Sequence, residues 1–180
     1  MLPGFETERL LLRPRTMDHF EDCIAMDRDP AVTKFIPGPW TDDTSHRQFL
    51  TDRITTDFGI GLGYWSIFEK TRSDQFLGWV LLIPHNAIGP DVEIGWRLNR
   101  LAWGKGIATE AAKPVLEHGF KATTVDRIIA AIDPRNSASV RVAEKLGMEL
   151  MGETEEDGYH FVTYAILRAT FQTAIDQLPS

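Results

Sequence analysis

Cysteine is nearly absent from this chain: Cys23 is the only one in 180 residues. A lone thiol closes no internal disulfide, so the fold must rest on its packed core, and the expected setting is a reducing one, the cytoplasm. Apolar runs long enough for a membrane span are missing, and no membrane association is expected. The opening MLPGFETERLLLRP puts its acidic residues ahead of a short apolar run, the reverse of a secretory signal. Positive charge is in deficit. Lys and Arg number 19 against 26 Asp and Glu, a net charge of −7 that repels nucleic acid and mildly favours a cationic partner. The five histidines, at 19, 46, 85, 118 and 160, lack metal-ligand spacing, so no metal is expected. Repeats and low-complexity segments are absent as well. What is present, 43% apolar and 25% charged residues without a linker, suits a single α/β domain over residues 1–180, as a monomer or homodimer.

Hydrophobic periodicity divides the chain into elements. Arg9 to Arg13 is predicted as a short strand, and Asp18 to Asp29 as a helix ended by Pro30, with Cys23 on its core face beside Phe20 and Ile24. The loop FIPGPWTDD places Trp40 at the mouth of a site, and Asp42 or Asp43 caps a second helix running to about Phe58. Beyond Gly59, Gly61 and Gly63 the period becomes two. Strands are predicted at Tyr64–Glu69, at Phe76–Ile83 (buried on both faces) and at Asp91–Leu98, with a polar turn at Arg72–Asp74. The third alternates cleanly: Val92, Ile94, Trp96 and Leu98 on one face, Glu93, Gly95 and Arg97 on the other. A helix from about Ile107 to Lys121 contains Pro114, which should kink it. Arg127–Ile132 is a strand, Asn136–Leu146 a helix with Gly147 past its end, and Tyr159–Leu167 closes the sheet.

Between a strand and a helix lies Trp103-Gly104-Lys105-Gly106. Glycines without Cβ let backbone N–H groups converge on one point, and the helix N-terminus adds partial positive charge, a geometry suited to phosphate. The Walker pattern fails, because Ile107 stands where Ser or Thr is required. The dinucleotide fingerprint fails too, with Thr109 where a third glycine belongs. An ordinary strand–helix connection remains open for the turn alone. Arg97, Arg100, Lys105, Arg135, Arg141 and Lys145 fall in the same third of the chain, as a basic patch or as solvated charges. About 30 residues after the turn, a buried strand delivers Asn136 to a helix start, with Ser139 in the first turn.

In order and spacing, FETERLLLRP, VEIGWRLNRLAWGKGIATEA and NSASVRVAEKLGM together resemble the GNAT superfamily of N-acetyltransferases, in the branch similar to the ribosomal-protein N-terminal acetyltransferases RimJ and RimL. The likeness covers residues 5 to 168. It implies an α/β (α+β) GNAT fold: a mixed, mostly antiparallel twisted sheet of six to seven strands, splayed at the acetyl-CoA site and flanked by about four helices. It implies acetyl-CoA as cosubstrate, held by Trp103, Gly104, Lys105, Gly106, Ile107 and Ala108. Trp103 stands where the superfamily usually has Gln or Arg. Leu98 falls at the family's β-bulge, its backbone pairing with the pantetheine arm, and Asn136 on the asparagine that contacts that arm.

The implied chemistry is attack of a neutral primary amine, from a peptide N-terminus or a small molecule, on the thioester in a ternary complex. The family's general-acid tyrosine, seven residues after the asparagine, is here Ala143, and Ser139 is the expected substitute. Glu93, the carboxylate inside the central strand, is the expected base, unless it pairs with Arg97 on the same face. The missing tyrosine leaves a second possibility open, a non-catalytic acyl-CoA-binding sensor module.

Overall fold

The computed structural model describes residues 2–156 and 158–171. Its strands are β1 (Phe5–Glu6), β2 (Leu10–Pro14), β3 (Gly63–Glu69), β4 (Arg72–Pro84), β5 (Val92–Leu98), β6 (Arg127–Ile132), β7 (Glu149–Glu156) and β8 (Tyr159–Leu167). They form one sheet in the order β1-β2-β3-β4-β5-β6-β8-β7, antiparallel throughout except between β5 and β6. The helices include α1 (Phe20–Asp27), α2 (Pro30–Thr33), α3 (Asp43–Thr55), α4 (Ile107–Ala122) and α5 (Ser137–Lys145).

Sequence periodicity found six of these strands. The other two carry no pattern to find: β1 is two residues long, and β7 (ELMGETEE) is an edge strand whose described side chains are exposed, Leu150 and Met151 among them. The polar residues Arg72–Asp74 are not a turn but the start of β4, because the chain reverses at residues 70–71. Pro30 does more than end a helix. It stands at the first position of α2, where its missing N–H costs nothing, and Asp29 caps that helix by accepting from the Ala31 N–H at 3.0 Å. Asp42, rather than Asp43, caps α3 through the Ser45 N–H at 2.6 Å. α4 runs through Pro114 as one helix of 16 residues.

Two apolar layers cover the sheet. On one face Leu10, Ile67, Val80, Ile94 and Ile128 pack with α4, whose Ala111, Ala112 and Val115 are fully buried. On the other, Phe20, Cys23 and Ile24 of α1 and Leu50 of α3 pack against Tyr64, Phe76, Trp79 and Ile83. The predicted alternation of β5 is thereby realised: Val92, Ile94 and Leu98 join the α4 layer, while Glu93, Gly95 and Arg97 face α1–α3. Cys23 is buried in the α1–α3 layer, and burial pushes its thiol pKa up to about 11, which makes it packing rather than a nucleophile. No helix among the described residues is long and apolar enough to cross a membrane.

Candidate active site

β5 and β6 separate after a single short stretch of pairing. They are parallel and register only Val92 with Ile128 and Glu93 with Ile129. A two-pronged Arg127–Asp91 ion pair, at 2.8 and 2.9 Å, clips their closed end and holds the Asp91 carboxyl below its ordinary pKa. Beyond Glu93 the strands diverge. The opening therefore lies on the β6 side of β5, and the expected bulge at Leu98 is not there: β4 and β5 register without interruption from Gly78↔Leu98 to Pro84↔Val92. That close register needs Gly78, since a Cβ there would collide with the Arg97 carbonyl and the Leu98 backbone.

Leu98 still presents its backbone to the opening. Asn99 donates to the Leu77 carbonyl and His85 to that of Asp91, so the odd-numbered residues of β5 carry the ladder to β4. By the alternation of antiparallel pairing, Trp96 and Leu98 turn their N–H and C=O groups the other way, into the splay. The indole Nε1 of Trp103 donates to the Leu98 carbonyl at 2.9 Å. That leaves the Leu98 N–H and both backbone groups of Trp96 for a guest.

A cleft of about 980 Å³ follows this splay from the glycine turn to the α1–α3 layer. At one end Gly104 and Gly106 adopt φ of 72° and 76°, which favour glycine, and a Cβ on Gly104 would meet nothing within 4 Å. Gly106 is the N-cap of α4 and supplies no side-chain cap, so the first N–H groups of that helix open uncapped at the cleft wall formed by Ile107, Ala108 and Thr109. This cradle fits the pyrophosphate of acetyl-CoA. Lys105 does not line the cleft; its carbonyl is turned away and accepts from Arg9 Nη2 at 3.0 Å. Arg9 in turn binds Glu110 at 2.6–2.7 Å, and Thr7 and the Arg9 N–H also donate to that carboxylate. Burial pushes the Glu110 pKa up, but these donors prevail and hold it below its ordinary value.

Asn136 and Ser139 line the cleft as expected, but a structural role accompanies them: Asn136 Oδ1 caps α5 by accepting the Ser139 N–H at 3.2 Å. Ala143 is 0% exposed in the core, on the face of α5 that points away from the cleft. Glu93 lines the cleft and does not pair with Arg97, since four residues of strand hold them ~13 Å apart at the backbone. Its Oε2 instead meets Nδ1 of His85 at 3.0 Å. Arg97 crosses to α1, donating to Asp27 Oδ1 at 2.7 Å, and Asp27 Oδ2 meets His46 at 3.2 Å. Trp40 lines the cleft at this end, its ring under the Arg97 guanidinium at 4.7 Å. Glu93, Leu98, Trp103, Gly104, Gly106, Ile107, Ala108, Asn136 and Ser139 thus meet in one cavity. Arg9, Arg15, Asp27, His85, Glu110 and Tyr159 gave no sign in the sequence, because each depends on a partner 8 to 103 residues away or on a strand end. No group of three or more His, Cys, Asp or Glu among the described residues could hold a metal ion.

Known proteins resemble this chain in sequence and in fold. Residues 9–149 match the family described as Acetyltransferase (GNAT) domain. YnaD of Bacillus subtilis (strain 168), an uncharacterized N-acetyltransferase, is 48% identical over 148 residues, covering 81% of this chain and 82% of its own. A GNAT-family acetyltransferase from Bacillus anthracis superposes with a TM-score of 0.76 at 27% identity, over 92% of this chain and 98% of its own. The spermidine N-acetyltransferase of Vibrio cholerae, solved with CoA and spermine, has the same fold at a TM-score of 0.75 and 16% identity, over 92% and 99%. The chain belongs to the GNAT acetyltransferase family and is an acetyltransferase.

Proposed function

We propose that the chain transfers the acetyl group of acetyl-CoA directly to a primary amine in a ternary complex, within the branch that resembles RimJ and RimL. One observation carries this reading: a single cleft joins the uncapped glycine turn to the Glu93–His85 pair along the open edge of β5. Main-chain N–H groups at Gly104 to Ala108 hold the pyrophosphate, and Arg141 and Lys145 on α5 supply positive charge at that end. The Trp96 and Leu98 backbones align the pantetheine as an added strand, and a free N–H there stabilises charge developing on the carbonyl oxygen. Bound acetyl-CoA supplies an activated acyl carbonyl.

Glu93, backed by His85, takes the proton that the attacking amine must lose. A peptide α-amine, with pKa about 7.7–8.0, offers its neutral form more readily than lysine at about 10.4. The C–N bond forms as the C–S bond breaks, and Ser139 passes its hydroxyl proton to the leaving sulfur as a water resupplies it. Incubation with acetyl-CoA and a panel of amines, read by mass spectrometry, tests this. The expected result is an acetylated amine formed in step with CoA release, and CoA release without such a product contradicts direct transfer.

A further inference from the structure

Two arginines at the α1–α3 end of the cleft have no use in the chemistry above. Arg15 and Arg97 are 9% and 8% exposed, yet both line the cavity. Each donates once from its guanidinium: Arg97 Nη1 to Asp27, and Arg15 Nη2 to the Arg53 carbonyl at 3.2 Å. Among the described residues, Nε of both is buried without a partner, and Nη2 of Arg97 and Nη1 of Arg15 have no hydrogen-bond partner either. Aromatic rings cover the flat faces. Arg97 lies over the rings of Trp40 and Trp79 at 4.7 and 4.9 Å, and Arg15 lies over Tyr64 at 3.6 Å. Only the hydrogen-bonding edges remain to be satisfied.

The charge of the cleft reverses that of the chain. Its cations are Arg15, Lys34, Arg53, Arg97, Arg141 and Lys145, and its carboxylates are Asp27, Glu93 and Asp133. All three carboxylates are already engaged, by Arg97 and His46, by His85 and by Arg135. None is left over for the second ammonium of a polyamine. A buried guanidinium with most of its donors unused is costly, and a carboxylate is the group whose two oxygens match its fork.

We propose that the acceptor is an amino carboxylate, an amino acid or a derivative with its carboxylate free, seated on Arg15 and Arg97 while its amine reaches Glu93. Gly95 lies between Arg97 and Glu93 on that face and keeps the floor of the cleft open. The inference rests on the acetyltransferase reading and departs from the cationic preference suggested by net charge.

Matched acceptors test it: leucine, phenylalanine and methionine, each beside its amide and its decarboxylated amine, together with spermine, assayed with acetyl-CoA by mass spectrometry. The expected result is a kcat/KM at least ~100-fold higher for the free acids than for their amides. Equal or faster turnover of the amides, the decarboxylated amines or spermine overturns the inference, as does failure to acetylate any of the acids. Acetylation of any amine in the panel reports separately on the acetyltransferase reading: it persists if only the carboxylate inference fails and is absent throughout if that reading fails. Arg15→Gln should raise KM for the acids tenfold or more and erase the acid-to-amide ratio, with acetyl-CoA affinity retained. A merely structural role for Arg15 would lower the melting temperature and leave that ratio unchanged.

Discussion

Glu93 shows how a side chain's role depends on a partner the sequence does not place beside it. Alternation along β5 shows which face it occupies, but His85 reaches it only because β4 and β5 form a hairpin whose ends meet there. Glu93→Gln keeps the shape and removes the proposed base. kcat should fall by roughly 10²–10⁴-fold with acetyl-CoA affinity unchanged, and the loss should shrink as pH rises and the amine deprotonates unaided. A pH–rate profile on both proteins checks it. Ser139 is the more exposed assignment, because its N–H already serves the α5 cap and only its hydroxyl is left for chemistry. The leaving thiol has a pKa near 8.5 and needs little help, so Ser139→Ala should cost kcat about tenfold or more under conditions where chemistry limits the rate. An unchanged kcat transfers attention to Tyr159, a second hydroxyl that lines the cleft.

At the scale of elements, most of the layout was legible. Six strands and the main helices follow from periodicity and capping: Asp42 before α3, Asn136 before α5, glycines around α4. What was not legible is pairing. Nothing in residues 91–98 says that β5 and β6 part after Glu93, because the splay is a relation between strands 35 residues apart. The Arg9–Glu110 clamp was hidden for the same reason, joining the β2 end to the first turn of α4 across about 100 residues. It fixes the turn by holding the Lys105 carbonyl away from the cleft. Glu110→Gln should therefore weaken acetyl-CoA binding by two- to tenfold, with a stability loss of about 1 kcal/mol or less, since Arg9 is half exposed. The folded Glu110 pKa is depressed, so its contribution is present above the ordinary carboxylate pKa of about 4.3 and is lost as pH falls through the lower folded value. Calorimetric titration of acetyl-CoA, and melting curves carried from pH 7 down to about pH 3, check both effects.

For the whole molecule, net charge proved a poor guide to the site. A chain of −7 encloses a cleft in which six cations face three carboxylates, because the acidic residues lie mostly elsewhere on the surface. On the proposed reading the sheet divides the labour: α4 and the glycine turn serve the donor, α1–α3 serve the acceptor, and the gap beside β5 lets the two meet. The most direct test of this arrangement is calorimetric titration of acetyl-CoA into Gly106→Val, beside wild type and Gly59→Val. Both glycines have positive φ, so both variants carry a similar backbone strain of about 1–2 kcal/mol, but Gly59 does not line the cleft. The account predicts that Gly106→Val stays folded and loses acetyl-CoA affinity by ~100-fold or more, while Gly59→Val binds as wild type does. Normal binding by Gly106→Val would contradict it, reducing the turn to a simple connection between strand and helix.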